Sequence, residues 1–391
     1  MQYLPHLFSH ETLLILYCCQ NQTTNKEEEF IRDTALRIHN WDDFIALTLD
    51  HRVLPIVYLK LSEIASDIID ADIMERFKKR YTKTVVTNMK MSGELVRLIN
   101  LLNTHAIDSL PFKGPILADT AYGGINFRQC VDLDIFVKKE DFPRISKLLI
   151  REGYTTDIPL IYTQNSAFLK RVCDWGFRNQ HNQVYTEIHW NLFPDWFSRD
   201  INRLDVWKER RTVTLHNTPM TTMGNEDLLL YLCMHGTKHI WMRLRWIMDV
   251  DRFVRKVNDL DWDAIEGKAE RVGGKTMLLL GLSLSQTLFS TPLPKSIQFQ
   301  IESHKKIPIL SQSVWKIFNN RNLIENRNHE IYFSIHLHHS LLLKLRALMV
   351  MFYPSLPDIR LIHLPTHLQP LYYLIRPFRL LYKYGKMIIR R

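Results

Sequence analysis

The sequence predicts an α+β fold in which a small mixed β-sheet is flanked by N-terminal and C-terminal helical domains. Apolar residues recur at helical spacing over residues 44–61 and 73–103, and again after residue 225. Between these regions, from residue 107, short apolar segments alternate with helical ones. We therefore divide the chain into an N-terminal helical domain (1–104), an α/β core (105–218), a helical domain (219–300) and a basic, apolar C-terminal helical extension (301–391).

Composition and charge narrow the class of protein. A chain of 391 residues is long enough for two or three domains with a sizeable core. Its 46% hydrophobic and 24% charged residues are ordinary for a globular protein and exclude a disordered chain. The formal net charge of +10 favours polyanionic partners: nucleotides, nucleic acid or an anionic membrane surface.

The cysteines and the apolar segments indicate the compartment. Five cysteines without regular spacing do not describe a disulfide framework or a zinc site, so we expect reduced core thiols in a cytoplasmic protein. No basic region precedes the first apolar run, so we expect no secretory signal. The longest apolar run, Leu341 to Tyr353, is too short to span a bilayer.

The N-terminal domain shows no residues at catalytic spacing. Ile73 to Asn103 predicts one long helix or two. The neighbouring residues His51 and Arg52 could contact a ligand, but a solvent-exposed helix face is the favoured interpretation.

The core begins with a predicted strand, Ile107–Phe112, followed by a helix, Pro115–Ala121. Proline suits the first helical position. The backbone N–H groups of this helix start, preceded by Gly114, can cradle a phosphate, and Lys113 adds a positive charge. The alternative is a plain strand-to-helix turn with a solvated lysine.

Asp132 and Asp134 lie in the segment Val131–Val137, whose alternating pattern predicts a strand with both carboxylates on one face. Adjacent carboxylates on a buried strand repel each other and lose hydration, and a divalent cation relieves both effects. Because Mg²⁺ binds carboxylates, phosphates and water, the pair predicts metal-dependent phosphate chemistry. A solvent-exposed turn or two helix-capping acids are the alternative. Arg128 would lie at the mouth of this site and either clamp a phosphate or pair with an aspartate.

A predicted hairpin supplies a third acid. Two strand-like segments, 174–180 and 184–190, are joined by residues 181–183. In the second, Glu187 and His189 share a face. If this strand neighbours the Asp132 strand, Glu187 completes a site that can hold Mg²⁺ and activate a nucleophile. The alternative is a surface acid.

A helix from Asn225 to His239 follows the core. His235, Lys238 and His239 lie on one face of it, which predicts a basic wall that contacts nucleotide phosphates or base. A structural helix–helix face is the alternative. Zinc is not expected, because no glutamate stands between the histidines as in zinc proteases.

The C-terminal extension is basic. No acidic residue follows Asp358, whereas seven basic residues do. Leu371 to Arg391 mixes leucine, aromatic and basic residues, which suits an amphipathic segment on anionic lipid. It equally suits a closing helix that packs on the core with its arginines outward. Pro377 argues against a continuous helix.

Several of these segments together resemble a known family. They are Lys113-Gly114, Arg128 with Asp132-Leu-Asp134-Ile-Phe-Val137, Glu187-Ile-His189-Trp190, Leu228–Trp241 with Arg243-Leu-Arg245-Trp246-Ile-Met-Asp249, and Leu371–Tyr382. This combination resembles the uncharacterised bacterial nucleotidyltransferase family of the DNA polymerase beta superfamily. The resemblance extends from about residue 40 to residue 391.

The resemblance implies roles for individual residues. Asp132 and Asp134 correspond to the metal-binding pair and Glu187 to the third acid, so these three would be catalytic and would bind two Mg²⁺ ions, with Mn²⁺ as an alternative. The residues expected to bind the nucleotide are Lys113, Gly114, Arg128, His189, Lys238 and His239. Pro115 and Val131 depart from the family pattern, since serine is usual there, which leaves the triphosphate contact open.

We expect an Mg²⁺-dependent nucleotidyltransferase that transfers a nucleoside monophosphate from an NTP, with ATP favoured. The acceptor would be a small molecule, a glycan-pathway intermediate, a peptide or a protein. Two alternatives stay open: an RNA-directed nucleotidyltransferase, and a degenerate nucleotide-binding accessory protein at the membrane surface. We expect a cytoplasmic location, with peripheral contact to the inner membrane face through the C-terminus as an option.

Overall fold

The N-terminal part of the chain is helical in the computed structural model, which describes residues 8–157, 172–194, 197, 204–319, 327–337, 358 and 361–389. Its helices are α1 (His10–Cys18), α2 (Asn25–Ala35), α3 (Trp41–Asp50), α4 (Leu54–Ile64) and α5 (Ala71–Thr104). Thr24 and Glu27 form a capping box at the start of α2, and the Asp70 side chain caps α5. The segment predicted as one helix or two is therefore the single 34-residue helix α5.

A five-stranded mixed sheet forms the core. The strands are β1 (Ser109–Pro111), β2 (Leu133–Val137), β3 (Tyr154–Thr155), β4 (Asp174–Asn179) and β5 (Tyr185–His189). Their order is β1-β2-β5-β4-β3, with β2 and β5 parallel and the other neighbours antiparallel. Helix α6 (Gly114–Tyr122) joins β1 to β2, and α7 (Phe142–Arg151) follows β2. The predicted α+β fold with a small mixed sheet is confirmed, as is the hairpin of β4 and β5.

The two faces of the sheet differ in polarity. Leu133, Ile135 and Val137 of β2 point into a core shared with α5 and α7. Asp134 and Phe136 occupy the other face, as the period of two requires. Because Asp134 is in register with Glu187 of the parallel strand β5, the two carboxylates share that face. The acids of β2 and β5 therefore lie on one side of the sheet.

A second, two-stranded sheet was not predicted from the sequence. It consists of β6 (Arg211–Leu215) and β7 (Thr218–Thr222). His216 and Asn217 form its turn with φ angles of 47° and 62°. Pro219 lies in β7. The domain boundaries given above stay a prediction.

A run of helices follows the second sheet. They are α8 (Asn225–Lys238), α9 (Leu244–Lys256), α10 (Trp262–Arg271), α11 (Lys275–Phe289), α12 (Lys295–Ser303) and α13 (Ile307–Asn319). The Phe112 ring next to β1 meets Tyr231 of α8 edge-on, with 5.1 Å between the ring centroids. Helices α8 and α9 thus lie over the strands that carry the acidic residues.

The described end of the chain contains α14 (Arg327–Leu337), a 3₁₀ helix (Thr366–Leu371) and α15 (Tyr372–Ile389). The apolar run Leu341 to Tyr353 lies outside the described residues. The inference from Pro377 was wrong: this proline lies inside α15, because the loss of one backbone donor does not force a helix to end. The expectation of outward arginines was also wrong for two of them, since Arg376 and Arg379 both pair with Asp358.

Contact with an anionic membrane stays a prediction. Leu374, Phe378 and Leu381 of α15 are 63%, 71% and 69% exposed. Within the described part of the chain, every helix is too short or too polar to cross a bilayer.

Candidate active site

A cavity of about 300 Å³ lies between the polar face of the sheet and helices α8 and α9. Asp132, Asp134 and Glu187 line it from the sheet side. We call these three residues the acidic cluster. Residues from α8, from α9 and from the turn between α3 and α4 line the opposite side. The three carboxylates predicted to act together therefore share one cavity.

Asp134 is the buried centre of the cluster, with 2% of its surface exposed. Its Oδ1 accepts hydrogen bonds from Lys113 Nζ at 2.7 Å and from His189 Nε2 at 3.1 Å. Burial alone would raise the pKa of the Asp134 carboxyl, but the Lys113 ammonium and the His189 ring hold it well below its ordinary value. Its Oδ2 is also buried and has no hydrogen-bond partner in the described part of the chain. One coordination position on this carboxylate is thus unused.

Contacts with Asp134 shift the pKa values of His189 and Glu187. Burial lowers the pKa of His189, but hydrogen bonds to Asp134 and Glu187 outweigh it and raise that pKa to about 9. Burial raises the pKa of Glu187, and the charge of Asp134 adds to this effect. His189 Nε2 lies 3.5 Å from Glu187 Oε2. The imidazolium is therefore a counterion for both carboxylates.

The cluster fits a divalent cation. Asp134 and Glu187 of this cluster and the neighbouring His189 each offer one ligand atom, and these atoms lie within 4.8 Å of one another; His189 would bind a cation only after losing its ring proton. Asp132, one residue before β2, lines the same cavity. Carboxylate oxygens suit Mg²⁺ and Mn²⁺, and a bound cation would give Asp134 Oδ2 the partner that it lacks. Binding of two ions by the acidic cluster stays a prediction.

A second group of ligand-type residues shares His189 and was not recognised in the sequence. Cys173, Asp174 and His189 also offer ligand atoms within 4.8 Å of one another, since Asp174 is in register with His189. The Cys173 thiol donates to Asp174 Oδ2 at 2.8 Å. Burial raises the pKa of this thiol well above its ordinary value, so it stays protonated at neutral pH. A thiol is a poor ligand, and the oxygen-rich group is the better cation site.

Lys113 and Gly114 place the start of α6 beside the acidic cluster. Gly114 has φ = +54°, and a Cβ at this position would lie 3.0 Å from the Asp132 carbonyl oxygen. Glycine is therefore required both by its backbone conformation and by the close approach. Burial alone would lower the pKa of Lys113, but the charge of Asp134 raises it well above its ordinary value, so the side chain is an ammonium. Its phosphate contact stays a prediction.

A comparison with known protein families identifies the family of this chain. A family profile described as an uncharacterised nucleotidyltransferase matches residues 39–290, well over half of the chain. The chain belongs to this nucleotidyltransferase family. The match includes the whole acidic cluster, whereas the chain after residue 290 lies outside it. No curated protein matches the sequence. Membership of the polymerase beta superfamily stays a prediction.

Arg128 of this nucleotidyltransferase pairs with an aspartate, one of the two roles left open above. Its Nε and Nη2 donate to Asp249 of α9 at 2.7 and 2.9 Å. The Tyr122 hydroxyl also donates to Asp249, at 2.7 Å. Arg128 is 4% exposed, so this bidentate pair is buried. This pair ties the loop before β2 to α9, and nucleotide binding by Arg128 stays a prediction.

The predicted basic wall on α8 is wrong for its histidines. Burial and the nearby Lys238 lower the pKa of His239 to about 3, and burial lowers that of His235 well below its ordinary value. Both imidazoles are neutral at pH 7. His239 stacks on Trp246 at 5.1 Å between ring centroids, and the two rings line the cavity together with His235. Lys238 does not line the cavity; its Nζ lies 5.9 Å from the Phe193 ring centroid.

Three arginines that sequence reasoning did not assign also line the cavity: Arg52, Arg243 and Arg245. The expected solvent-exposed face at residues 51–52 was wrong, because His51 is 2% exposed and accepts a hydrogen bond from the backbone of Leu244 at 3.1 Å. These two residues are 193 positions apart, so no local pattern reports their contact.

The Arg128–Asp249 pair generates a stability prediction. Replacing Asp249 with alanine leaves a buried guanidinium without its counterion, so the free energy of unfolding should fall by about 3–5 kcal/mol. Asp108→Ala removes an exposed ion pair with Lys138 and should change stability too little to resolve. Urea denaturation of both variants measures the difference. Equal losses in the two variants would show that the Arg128 pair is not a structural clamp.

His189 generates a pH prediction for the metal-free protein. Its pKa of about 9 exceeds the ordinary 6.5, so its contacts should stabilise the fold fully below pH 6.5 and lose that effect as the pH rises through 9. Imidazole NMR in EDTA, with His189→Gln to assign the signal, measures this pKa. A value near 6.5 in the folded protein would contradict the ion pair with Asp134.

Proposed function

We propose that this nucleotidyltransferase is metal-dependent and polymerase beta-like, and that it transfers a nucleoside monophosphate from an NTP to an acceptor. Asp132, Asp134 and Glu187 would hold Mg²⁺ or Mn²⁺. The observation that carries the proposal is the buried, unpartnered Oδ2 of Asp134. Asp134 lines a cavity together with two further carboxylates, Asp132 and Glu187. A divalent cation both satisfies this oxygen and cancels the repulsion among the acids.

Lys113 would bind the donor. Its ammonium is buried and pairs with Asp134 Oδ1, next to the start of α6. A cation on Asp134 would weaken this pair and release Lys113 toward a phosphate oxygen. The start of α6 adds the partial positive charge of a helix N-terminus on the same side. When bound, the metal would stabilise negative charge on the attacking and leaving oxygens.

Glu187 would accept the proton of the acceptor. Its raised pKa makes its carboxylate a better base than an ordinary glutamate at neutral pH. The acceptor oxygen would attack the α-phosphorus and form the new P–O bond. The bond to the β-phosphate oxygen would break, pyrophosphate would leave, and the proton would pass to Glu187. Asp174 would keep that pKa high from the neighbouring strand.

The experiment measures binding and transfer separately. Calorimetry with each NTP, with and without Mg²⁺, should show metal-dependent binding, with ATP as the expected donor. Transfer of label from an α-³²P-NTP to a cell-extract fraction reports activity. Asp134→Asn and Glu187→Gln should each lower transfer at least about a hundredfold, because they remove predicted metal ligands.

The matched control is Asp259→Asn, which makes the same change at an exposed aspartate away from the cavity. It should behave like the wild type, and circular dichroism should show that all variants are folded. Metal-dependent NTP binding without transfer to any fraction would favour the accessory-protein alternative. Transfer only to an RNA fraction would favour the RNA-directed one. Unchanged transfer in Asp134→Asn would contradict the proposal.

A further inference from the structure

Three arginines converge on the part of the cavity that is formed by α9 and by the turn between α3 and α4. Arg52 lies in the turn between α3 and α4, Arg243 is the N-cap of α9, and Arg245 lies in the first turn of α9. All three line the cavity. We call them the arginine cluster. Arg52 lies 191 positions before Arg243, so the fold brings it to the two arginines of α9 at this cavity.

The backbone that carries the cluster is held in unusual conformations. Arg52 has φ = 58°, a left-handed conformation that is uncommon for a residue with a side chain. Ile240 and Trp241, which lead from α8 into α9, have φ of 52° and 53°. For a β-branched residue such as isoleucine this is a clear outlier, and such strain persists only where surrounding contacts impose it. Both turns that present the cluster are therefore strained.

His51 fixes these two turns to each other. Its ring Nδ1 accepts from Leu244 N at 3.1 Å, and its carbonyl accepts from Arg245 N at 3.3 Å. The first two N–H groups of α9 are thus satisfied within the protein. A ligand at this place would be bound by the guanidinium groups, and the helix would add only its partial positive charge.

The charges of Arg52 and Arg245 are incompletely balanced. Among the described residues, neither Arg52 nor Arg245 forms an ion pair with an acid. Arg245 is 7% exposed; its Nη1 donates to the Gln129 carbonyl at 2.6 Å, and its Nε is buried without a partner. Burial, together with the charges of Arg245 and Arg243, lowers the pKa of Arg52 to about 9. The protein thus keeps mutually repelling cations in one cavity.

Two acids that line the cavity are already engaged, and Asp132, which interacts electrostatically with both Arg52 and Arg245, supplies a single charge for the two. Asp249 is already engaged by Arg128 in a bidentate pair, and Asp134 is engaged by Lys113. The imidazoles of His235 and His239 are neutral and carry no countercharge. An added anion with more than one negative charge would therefore be stabilised here.

We propose that Arg52, Arg243 and Arg245 form a subsite for a phosphate group that binds without metal. Guanidinium groups match the oxygens of a phosphate in bidentate hydrogen bonds, and the buried Arg245 Nε is a donor that such a group would satisfy. The phosphate has two sources: the β,γ end of the donor NTP, or a phosphate carried by the acceptor. Its assignment to a substrate rests on the proposed function; the anion binding itself does not.

Calorimetry in EDTA at low ionic strength tests the subsite with phosphate, pyrophosphate and tripolyphosphate as probes. The wild type should bind tripolyphosphate, and Arg52→Gln should weaken that binding about tenfold or more. Arg52→Lys should recover part of it, because it keeps the charge and loses the bidentate contact. Affinity should fall steeply with added salt.

The matched control is Arg80→Gln, which removes an exposed arginine of α5 and should bind tripolyphosphate like the wild type. Melting temperatures would show that each variant is folded. No binding of any probe to the folded wild type would overturn the proposal, as would equal affinity in Arg52→Gln and Arg80→Gln.

Two further measurements distinguish the source of the phosphate. If the cluster binds the donor, Arg52→Gln should weaken Mg²⁺-NTP binding and leave NMP binding unchanged. If it binds the acceptor, Arg52→Gln should leave the affinity for Mg²⁺-NTP unchanged. The same variant should no longer bind phosphate when it is loaded with a nonhydrolysable NTP. Anion binding that persists when no NTP binds would refute the proposed function and leave the subsite intact.

Discussion

Burial of the Asp134 carboxylate is the constraint on which the active-site region depends. A charge taken out of water must be paired, and Lys113 and His189 supply the positive groups. Each comes from a fixed place: Lys113 from the start of α6, and His189 from the strand parallel to β2. Gly114 permits the close approach of α6 to the Asp132 backbone. The register of two strands and one glycine thereby bring the acids and their counterions into one cavity.

The opposite side of the cavity is built by contacts between distant segments. Arg128 ties the loop before β2 to Asp249 of α9, and His51 ties the N-terminal domain to the first residues of the same helix. Helix α9 is thus held by the loop before β2 and by the turn after α3. The cavity combines the acidic cluster with the arginine cluster, a combination suited to a substrate that carries both a metal-binding part and an anionic group.

Strands β1, β2, β4 and β5 and the acidic cluster could be predicted from the sequence because they follow from local periodicity. Asp132, Asp134 and Glu187 were grouped by their spacing and by the hairpin signal. Burial and long-range contacts could not be predicted in this way. The residues grouped on α8 as basic include His239, which is neutral because it is buried against Trp246. Arg52 lies at the cavity beside His51, and His51 accepts a hydrogen bond from the backbone of Leu244, 193 positions away. Sequence periodicity therefore predicted the acidic cluster but not the arginine cluster.

The most direct test of the account is a crystal structure grown with Mn²⁺ and a nonhydrolysable NTP analogue, with an anomalous difference map to locate the ion. The account predicts a peak within about 2.0–2.3 Å of Asp134 Oδ2, the range of carboxylate–metal bonds for such ions. It also predicts that Lys113 leaves Asp134 for a phosphate oxygen. A peak at Cys173 and Asp174 instead, or no peak beside an Asp134 that is still paired with Lys113, would contradict it.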